Sequence, residues 1–271
     1  MNTSDKKAVF FDIDGTLVDD YNQVPESAAK AIARLRQNGH LAIINTGRTF
    51  VSVGEHIRSV GFDGYICACG SRVYYNGEEI FTQTIPTKRY PDIIRILRKT
   101  KAPVFFEGPE AVYFDPHNEG QTEHLKHVKA YFTDITGGRV YDLPKDPEES
   151  CSLLFDKFFC LFTPDEDISE LEEYVKDDFL SIRHRDGHFE VTAKGCSKAQ
   201  GIQAIIDSLG ISRDNCYALG DSANDLEMLK AVPHSIGMGN SAEVILPYCE
   251  YITKGVTEDG ILHALEHYEL I

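Results

Sequence analysis

The stretch Phe10-Phe11-Asp12-Ile13-Asp14-Gly15-Thr16-Leu17 decides how this chain is to be read. It grows out of Ala8-Val9-Phe10-Phe11, an unbroken apolar run of the kind that fills a parallel strand buried on both faces. Two carboxylates follow, one residue apart, and then a glycine turn. That order puts Asp12 and Asp14 at the carboxyl end of a strand, where open α/β sheets bind their ligands. Such a pair suits chemistry in which one acid attacks and the other moves protons, and a magnesium ion fits between them. Asp-x-Asp-Gly also occurs in calcium loops and ordinary turns. A calcium loop wants acids at its first, third and fifth positions and glycine at the sixth, whereas here Gly15 follows the second acid at once.

Bulk composition narrows the classes further. The 271 residues suffice for one large domain or two modest ones, and 42% hydrophobic with 26% charged residues is ordinary for a globular protein. A net charge of −16, from 43 acids against 27 bases, argues against binding nucleic acid or an anionic membrane. An anionic substrate would need a locally positive pocket or a metal. The seven cysteines form no regular framework, and Cys67 and Cys69 have no second pair at zinc-ligand spacing. They are read as buried or half-buried free thiols of a reducing compartment. Met1 to Lys7 is polar with no apolar segment behind it, and no run reaches the length of a membrane span, so the expectation is a cytoplasmic protein.

Three more apolar runs end in polar residues: Leu41-Ala42-Ile43-Ile44 before Asn45-Thr46-Gly47-Arg48, Cys216-Tyr217-Ala218-Leu219 before Gly220-Asp221-Ser222-Ala223-Asn224-Asp225, and Ser235-Ile236-Gly237-Met238 before Gly239-Asn240. Helical stripes lie between them. One starts at Pro25, read as a first helical position, and stops at Gly39; another runs through Ile202, Ile205, Ile206 and Leu209 to Gly210. Alternation of this kind predicts a parallel sheet covered on both faces. From about Phe81 to Arg185 the pattern changes to strand-like runs, such as Phe158-Phe159-Cys160-Leu161-Phe162, separated by helical stretches around Pro91 to Lys101, Gln121 to Tyr131 and Asp165 to Val175. That predicts a compact α+β insert. The fold expected is a doubly wound, Rossmann-like parallel sheet spanning 1–82 and 187–271, with an inserted α+β domain over 83–186.

The other strand ends supply partners for the acids. Thr46-Gly47 offers a hydroxyl and backbone N–H groups at a turn into a helix, which suits phosphate oxygens; a plain helix cap by Asn45 or Thr46 explains the same residues. Asp221 would meet Asp12 and Asp14 if their strands are neighbours, with Asn224 and Asp225 further along the turn; an acidic first helical turn is the bland alternative. Lys198 precedes a helix, and a phosphoryl group among these acids requires cations, although Lys194 competes for the part.

Taken in order, these elements resemble the haloacid dehalogenase superfamily of phosphotransferases. Its first motif matches Asp12-Ile13-Asp14-Gly15-Thr16, its second Thr46, its third Lys198 and its fourth Gly220 to Asp225. Only 31 residues separate Asp14 from Thr46, while 151 separate Thr46 from Lys198, room for an α+β cap. That spacing, with Gly237-Met238-Gly239-Asn240 and Glu258-Asp259-Gly260-Ile261, resembles the Cof-type phosphatases with a type IIB cap. One departure is Cys69-Gly70, where the family often has Asn-Gly.

The resemblance implies that Asp12 is the nucleophile and Asp14 the general acid and base. It further implies magnesium on Asp12, Asp221 and the Asp14 carbonyl, and phosphoryl contacts from Ile13, Thr46, Gly47, Lys198 and Asn224. Arg48, Ser222 and Asp225 would support them. The expected activity is hydrolysis of a small phosphorylated metabolite, a sugar phosphate first of all, through an aspartyl-phosphate. A phosphomutase of the phosphomannomutase type and a non-catalytic metabolite-binding regulator are the rival readings. Partners are then a small phosphate ester, with no nucleic acid or membrane, and a monomer or homodimer. Substrate choice falls to cap residues; Arg183, His184 and Arg185 form a basic cluster better read as a solvated hinge.

Overall fold

A computed structural model describes residues 6–100, 102–118, 123–162, 167–183 and 187–271. The chain divides into two compact units, one of residues 1–47, 55–82 and 197–271, the other of 48–54 and 83–196.

The first unit starts with β1 (Ala8–Phe11), α1 (Glu26–Gln37), β2 (Leu41–Asn45) and the single turn α2 (Glu55–Arg58). It continues through β3 (Gly64–Cys67), β4 (Arg72–Tyr75) and β5 (Glu78–Thr82). The second unit holds α3 (Tyr90–Lys99), β6 (Val104–Glu107), β7 (Val112–Phe114), α4 (Glu123–Ile135) and β8 (Val140–Asp142). It closes with β9 (Lys157–Leu161), α5 (Ser169–Val175), β10 (Phe179–Arg183) and β11 (His188–Ala193). The chain then completes the first unit with α6 (Lys198–Leu209), β12 (Cys216–Gly220), α7 (Leu226–Ala231), β13 (His234–Gly237), β14 (Tyr251–Ile252) and α8 (Gly260–His267).

The first sheet has the order β14-β13-β12-β1-β2-β3-β4-β5, parallel from β14 to β3 and antiparallel at β4 and β5. The α/β core with its parallel sheet and inserted α+β cap is thus the architecture read from the sequence. All four residues of β1 are buried, and alternate ones, Ala8 and Phe10, join Ile43, Ala218, Ile202 and Ile205 in one core beneath α6 and α7. On the opposite face α1 packs beside α8. The order reverses at β1, which has β2 on one side and β12 on the other, and open α/β sheets bind ligands at the carboxyl ends of strands at such a reversal. Register aligns Phe11 with both Ile44 and Leu219. Asp12, Asn45-Thr46 and Gly220-Asp221 therefore leave the sheet at one level.

The second unit carries a sheet of order β10-β11-β9-β6-β7-β8, antiparallel except for β7 with β8. α3 and α5 cover one face, burying Ile93, Leu97, Leu171 and Val175 against Phe106, Phe158 and Val191. α4 lies on the other, with Leu125 and Phe132 against Phe105 and Phe114.

Several local expectations change. Pro25 is the residue before α1, with ψ 139°, one position ahead of the helix. Thr46-Gly47 does not turn into a helix: a short 3-10 turn at Phe50–Ser52 follows, and Val51 packs with Phe105 and Phe114, a core that no local pattern announces. β3 stops at Cys67, and Ala68, Cys69 and Gly70 all take positive φ to reverse the chain into β4. The seven cysteines form no disulfide among the described residues, and Cys151 is exposed. Lys101, Gln121, Asp165, His184, Arg185 and the first five residues lie outside the described residues.

Candidate active site

Asp12 continues β1, its N–H bonded to the Leu219 carbonyl at 3.1 Å. Ile13 then closes a tight turn, its carbonyl accepting from Thr16, Leu17 and Val18. Gly15 adopts φ +81°, and its α-carbon lies so close to the Asp221 carboxylate that a β-carbon would stand 2.7 Å from Asp221 Cγ. Glycine is required there for both reasons. Asp14 is exposed at the tip of the turn, and Asp12 is buried at its base.

Of the two lysines, Lys198 is the one beside Asp12. Lys194 is exposed in the second unit and donates to the Asp177 carbonyl at 2.8 Å. Lys198 is the first residue of α6, follows the N-cap Ser197, and is buried, with Nζ 2.5 Å from both Asp12 Oδ1 and Asp225 Oδ1. Three contacts fix this helix start. Asn45 Nδ2 donates to the Lys198 carbonyl at 3.0 Å, Gly70 lies against the Ser197 backbone, and Gly201 lets α6 settle on Ile66. Burial alone would lower the Lys198 ammonium, but Asp12 and Asp225 outweigh it and hold the group charged.

Asp225 anchors the loop. Its Oδ1 takes Lys198, and its Oδ2 accepts the N–H groups of Asp221 at 3.0 Å and Ser222 at 3.1 Å. Ser222 Oγ donates to Oδ1 of the exposed Asn224 at 2.7 Å. Asp12, Asp221 and Asp225 offer ligand atoms within 4.8 Å of one another. The carboxylate of Asp225 is engaged on both oxygens, whereas Asp221 Oδ1 is buried with no hydrogen-bond partner among the described residues. Burial, helped by Asp225 and opposed by Lys198, pushes Asp221 up to about 6. Burial likewise pushes Asp12 up to about 8 against the pull of Lys198. A buried, unpartnered carboxylate oxygen beside a second acid and a carbonyl-rich turn fits a hard divalent cation such as magnesium.

Thr46 is buried at the end of β2, and its carbonyl accepts the Cys69 N–H at 3.0 Å; the Cys69 thiol faces Gly47. Arg48 bonds back within its own loop, to the Ser52 carbonyl at 3.5 Å. Arg183 pairs with Glu172 at the surface and stacks on Phe162. Two features lie beyond the sequence reading. One is the role of Asn45, read there only as a helix cap, which instead donates to the Lys198 carbonyl. The other is the buried group Glu107, Lys157 and Glu190 in the second unit, visible only as charges embedded in the runs Val104–Glu107, Lys157–Leu161 and His188–Ala193.

Residues 9–265 match the model of the haloacid dehalogenase-like hydrolase family. The chain belongs to this family. YkrA of Bacillus subtilis (strain 168) is 29% identical over 267 residues, covering 98% of this chain and 99% of that one. The 5-amino-6-(5-phospho-D-ribitylamino)uracil phosphatase YitU of the same organism is 27% identical, with 96% of each chain covered. Among solved structures, the subclass IIB sugar phosphatase BT4131 superposes with a TM-score of 0.79 at 26% identity, over 98% of this chain and all of that one. The hydrolase family read from the four motifs is therefore the family found, with its IIB-type cap. Among the described residues no helix is long and apolar enough to cross a membrane.

Proposed function

We propose that this hydrolase is a magnesium-dependent phosphatase of small phosphorylated metabolites, acting through an aspartyl-phosphate in the cytoplasm. The observation that carries the reading is the buried Lys198, bonded to Asp12 and Asp225 while Asp221 keeps a buried carboxylate oxygen open. Relatives named as phosphatases of a phosphoribityl compound and of sugars support a polyhydroxylated phosphate ester as the first substrate class to test.

Magnesium would be held by the carboxylates of Asp12 and Asp221 and the Asp14 carbonyl, where it supplies positive charge to the transferring phosphoryl group. Asp12 attacks phosphorus, its new O–P bond forming as the bond to the leaving oxygen breaks. Asp14 gives its proton to that oxygen, then takes one from the water that attacks the aspartyl-phosphate, which frees the Asp12 carboxylate and inorganic phosphate. The N–H groups of Ile13 and Gly47, the Thr46 hydroxyl, the Asn224 amide and Lys198 hold the phosphoryl oxygens. Asp225 keeps Lys198 in place, with Ser222 and Arg48 bracing their loops. Locally these donors supply the positive field that a chain of charge −16 lacks as a whole.

Asp12→Asn should abolish release of inorganic phosphate from p-nitrophenyl phosphate, and so should removal of divalent metal by a chelator. Turnover surviving both would overturn the proposal. A panel of sugar phosphates, nucleotides, pyridoxal phosphate and flavin mononucleotide, assayed for the same release, then ranks substrates.

A further inference from the structure

We infer that Asn240 is a positioning residue for Asp14: its side-chain amide clasps the turn that carries the general acid and ties it to the loop that carries Asp221. The inference rests on the phosphatase reading given above. Asn240 lies just beyond β13, and its amide is used at both ends. Nδ2 donates to the Gly15 carbonyl at 2.8 Å, and Oδ1 accepts the Val256 N–H at 3.1 Å. The backbone around it is bonded to the other acid loop. Met238 N–H donates to the Gly220 carbonyl at 3.1 Å, Ala242 N–H to the Asp221 carbonyl at 2.8 Å, and Ser241 Oγ to the Gly220 carbonyl at 3.4 Å.

The segment also has a fixed seat. Gly239 N–H donates to the Lys254 carbonyl at 3.0 Å, and a β-carbon on Gly239 would stand 2.6 Å from the Gly255 nitrogen. Gly255 N–H is in turn bonded to Glu258 Oε2 at 3.2 Å. Residues 238–242 thus form a strut braced on one side by the 254–258 turn and on the other by Gly220 and Asp221. Asn240 supplies a side-chain bond that reaches from this strut to the Asp14-Gly15 turn. Asp14 itself is exposed at the tip of that turn. A proton donor so placed depends on its backbone being held, because misplacement of about 1 Å costs on the order of a hundredfold in rate.

Asn240→Asp keeps the size and the acceptor for Val256 but puts an oxygen without a proton against the Gly15 carbonyl; Asn240→Ala removes both bonds. The test compares kcat/KM on p-nitrophenyl phosphate, whose leaving group needs little protonation, with phenyl phosphate, whose leaving group needs it. General acid catalysis contributes about 10²–10⁴-fold, so partial loss of alignment should lower kcat/KM by at least about tenfold on phenyl phosphate and by less than about threefold on p-nitrophenyl phosphate. Thermal melting of both variants should stay close to that of the parent protein. Equal losses on the two esters, or no loss on either, overturn the positioning role while leaving the phosphatase reading intact. A parent protein that hydrolyses neither ester overturns that reading and this inference with it. Should Asn240→Ala fold poorly, Asn240→Asp carries the comparison, because it preserves the bond to Val256.

Discussion

Two buried lysines in this chain sit between pairs of acids, and their surroundings give them different work. Lys198 bonds Asp12 and Asp225 beside an acid with an open oxygen, so on the proposed phosphatase reading its charge would be available to an incoming phosphoryl group. Lys157 lies 3.2 Å from Glu190 and 3.4 Å from Glu107, with its ammonium 4.6 Å from the Phe159 ring centre. Glu107 also accepts the hydroxyl of Thr49 at 3.2 Å. Burial raises Glu107 above the usual carboxylate range; Lys157 opposes this and Glu190 adds to it. Lys157→Met would leave two acids buried with no cation between them. Removing one partner of a buried pair costs about 3–5 kcal/mol, so urea unfolding at neutral pH should show a loss of that order. The loss should shrink as pH falls, because a protonated Glu107 no longer needs the ammonium. A pH-independent loss would mean that packing of the lysine stem, and not its charge, is what matters.

At the scale of elements, α6 is held against the sheet by a missing side chain. A β-carbon at Gly201 would overlap Ile66 Cγ2 and stand 3.2 Å from Cβ of Ile66, a buried, β-branched residue. Alanine in a helix is favoured over glycine by about 1 kcal/mol. Overpacking against a rigid neighbour costs about 1–3 kcal/mol, which outweighs it. Gly201→Ala should therefore lower the urea midpoint and also reduce turnover, because Lys198 starts the same helix; a more stable variant would refute the argument. The elements that carry the site were legible because β1, β2, β12 and β13 are apolar runs buried on both faces, each ending in polar residues. Edge elements were harder to see. β4 and β5 mix Arg72, Tyr74, Glu78 and Glu79 with apolar residues, as half-exposed antiparallel strands do, and β14 has two residues. β11 pairs with β9 across about thirty residues, a partnership that no local pattern encodes. Lys194 and Lys198 could not be separated by spacing. The N-cap at Ser197 separates them, since it puts Lys198 inside the helix and facing Asp12.

For the whole molecule, the proposed magnesium site would couple folding, protons and metal. Burial raises Asp12 to about 8 and Asp221 to about 6, with Asp14, Asp225 and Lys198 as the charged neighbours. An acid raised on folding contributes stability that is present below its unfolded value and is lost as pH climbs through its folded value. The metal-free protein should therefore lose stability from about pH 4 to about pH 8, through both acids up to about pH 6 and through Asp12 alone above that. A divalent cation binds the ionised acids, so its affinity should rise over the same interval as protons leave. Ligand that binds only the folded state adds stability in proportion to RT ln(1 + [L]/Kd). The two trends oppose each other. The difference in melting temperature between samples in magnesium chloride and in chelator should accordingly widen as pH rises from about 5 to about 8, and it should narrow sharply in Asp221→Asn. Melting curves at three pH values decide the matter, and a difference that stays constant with pH would show that these two acids do not bind the ion.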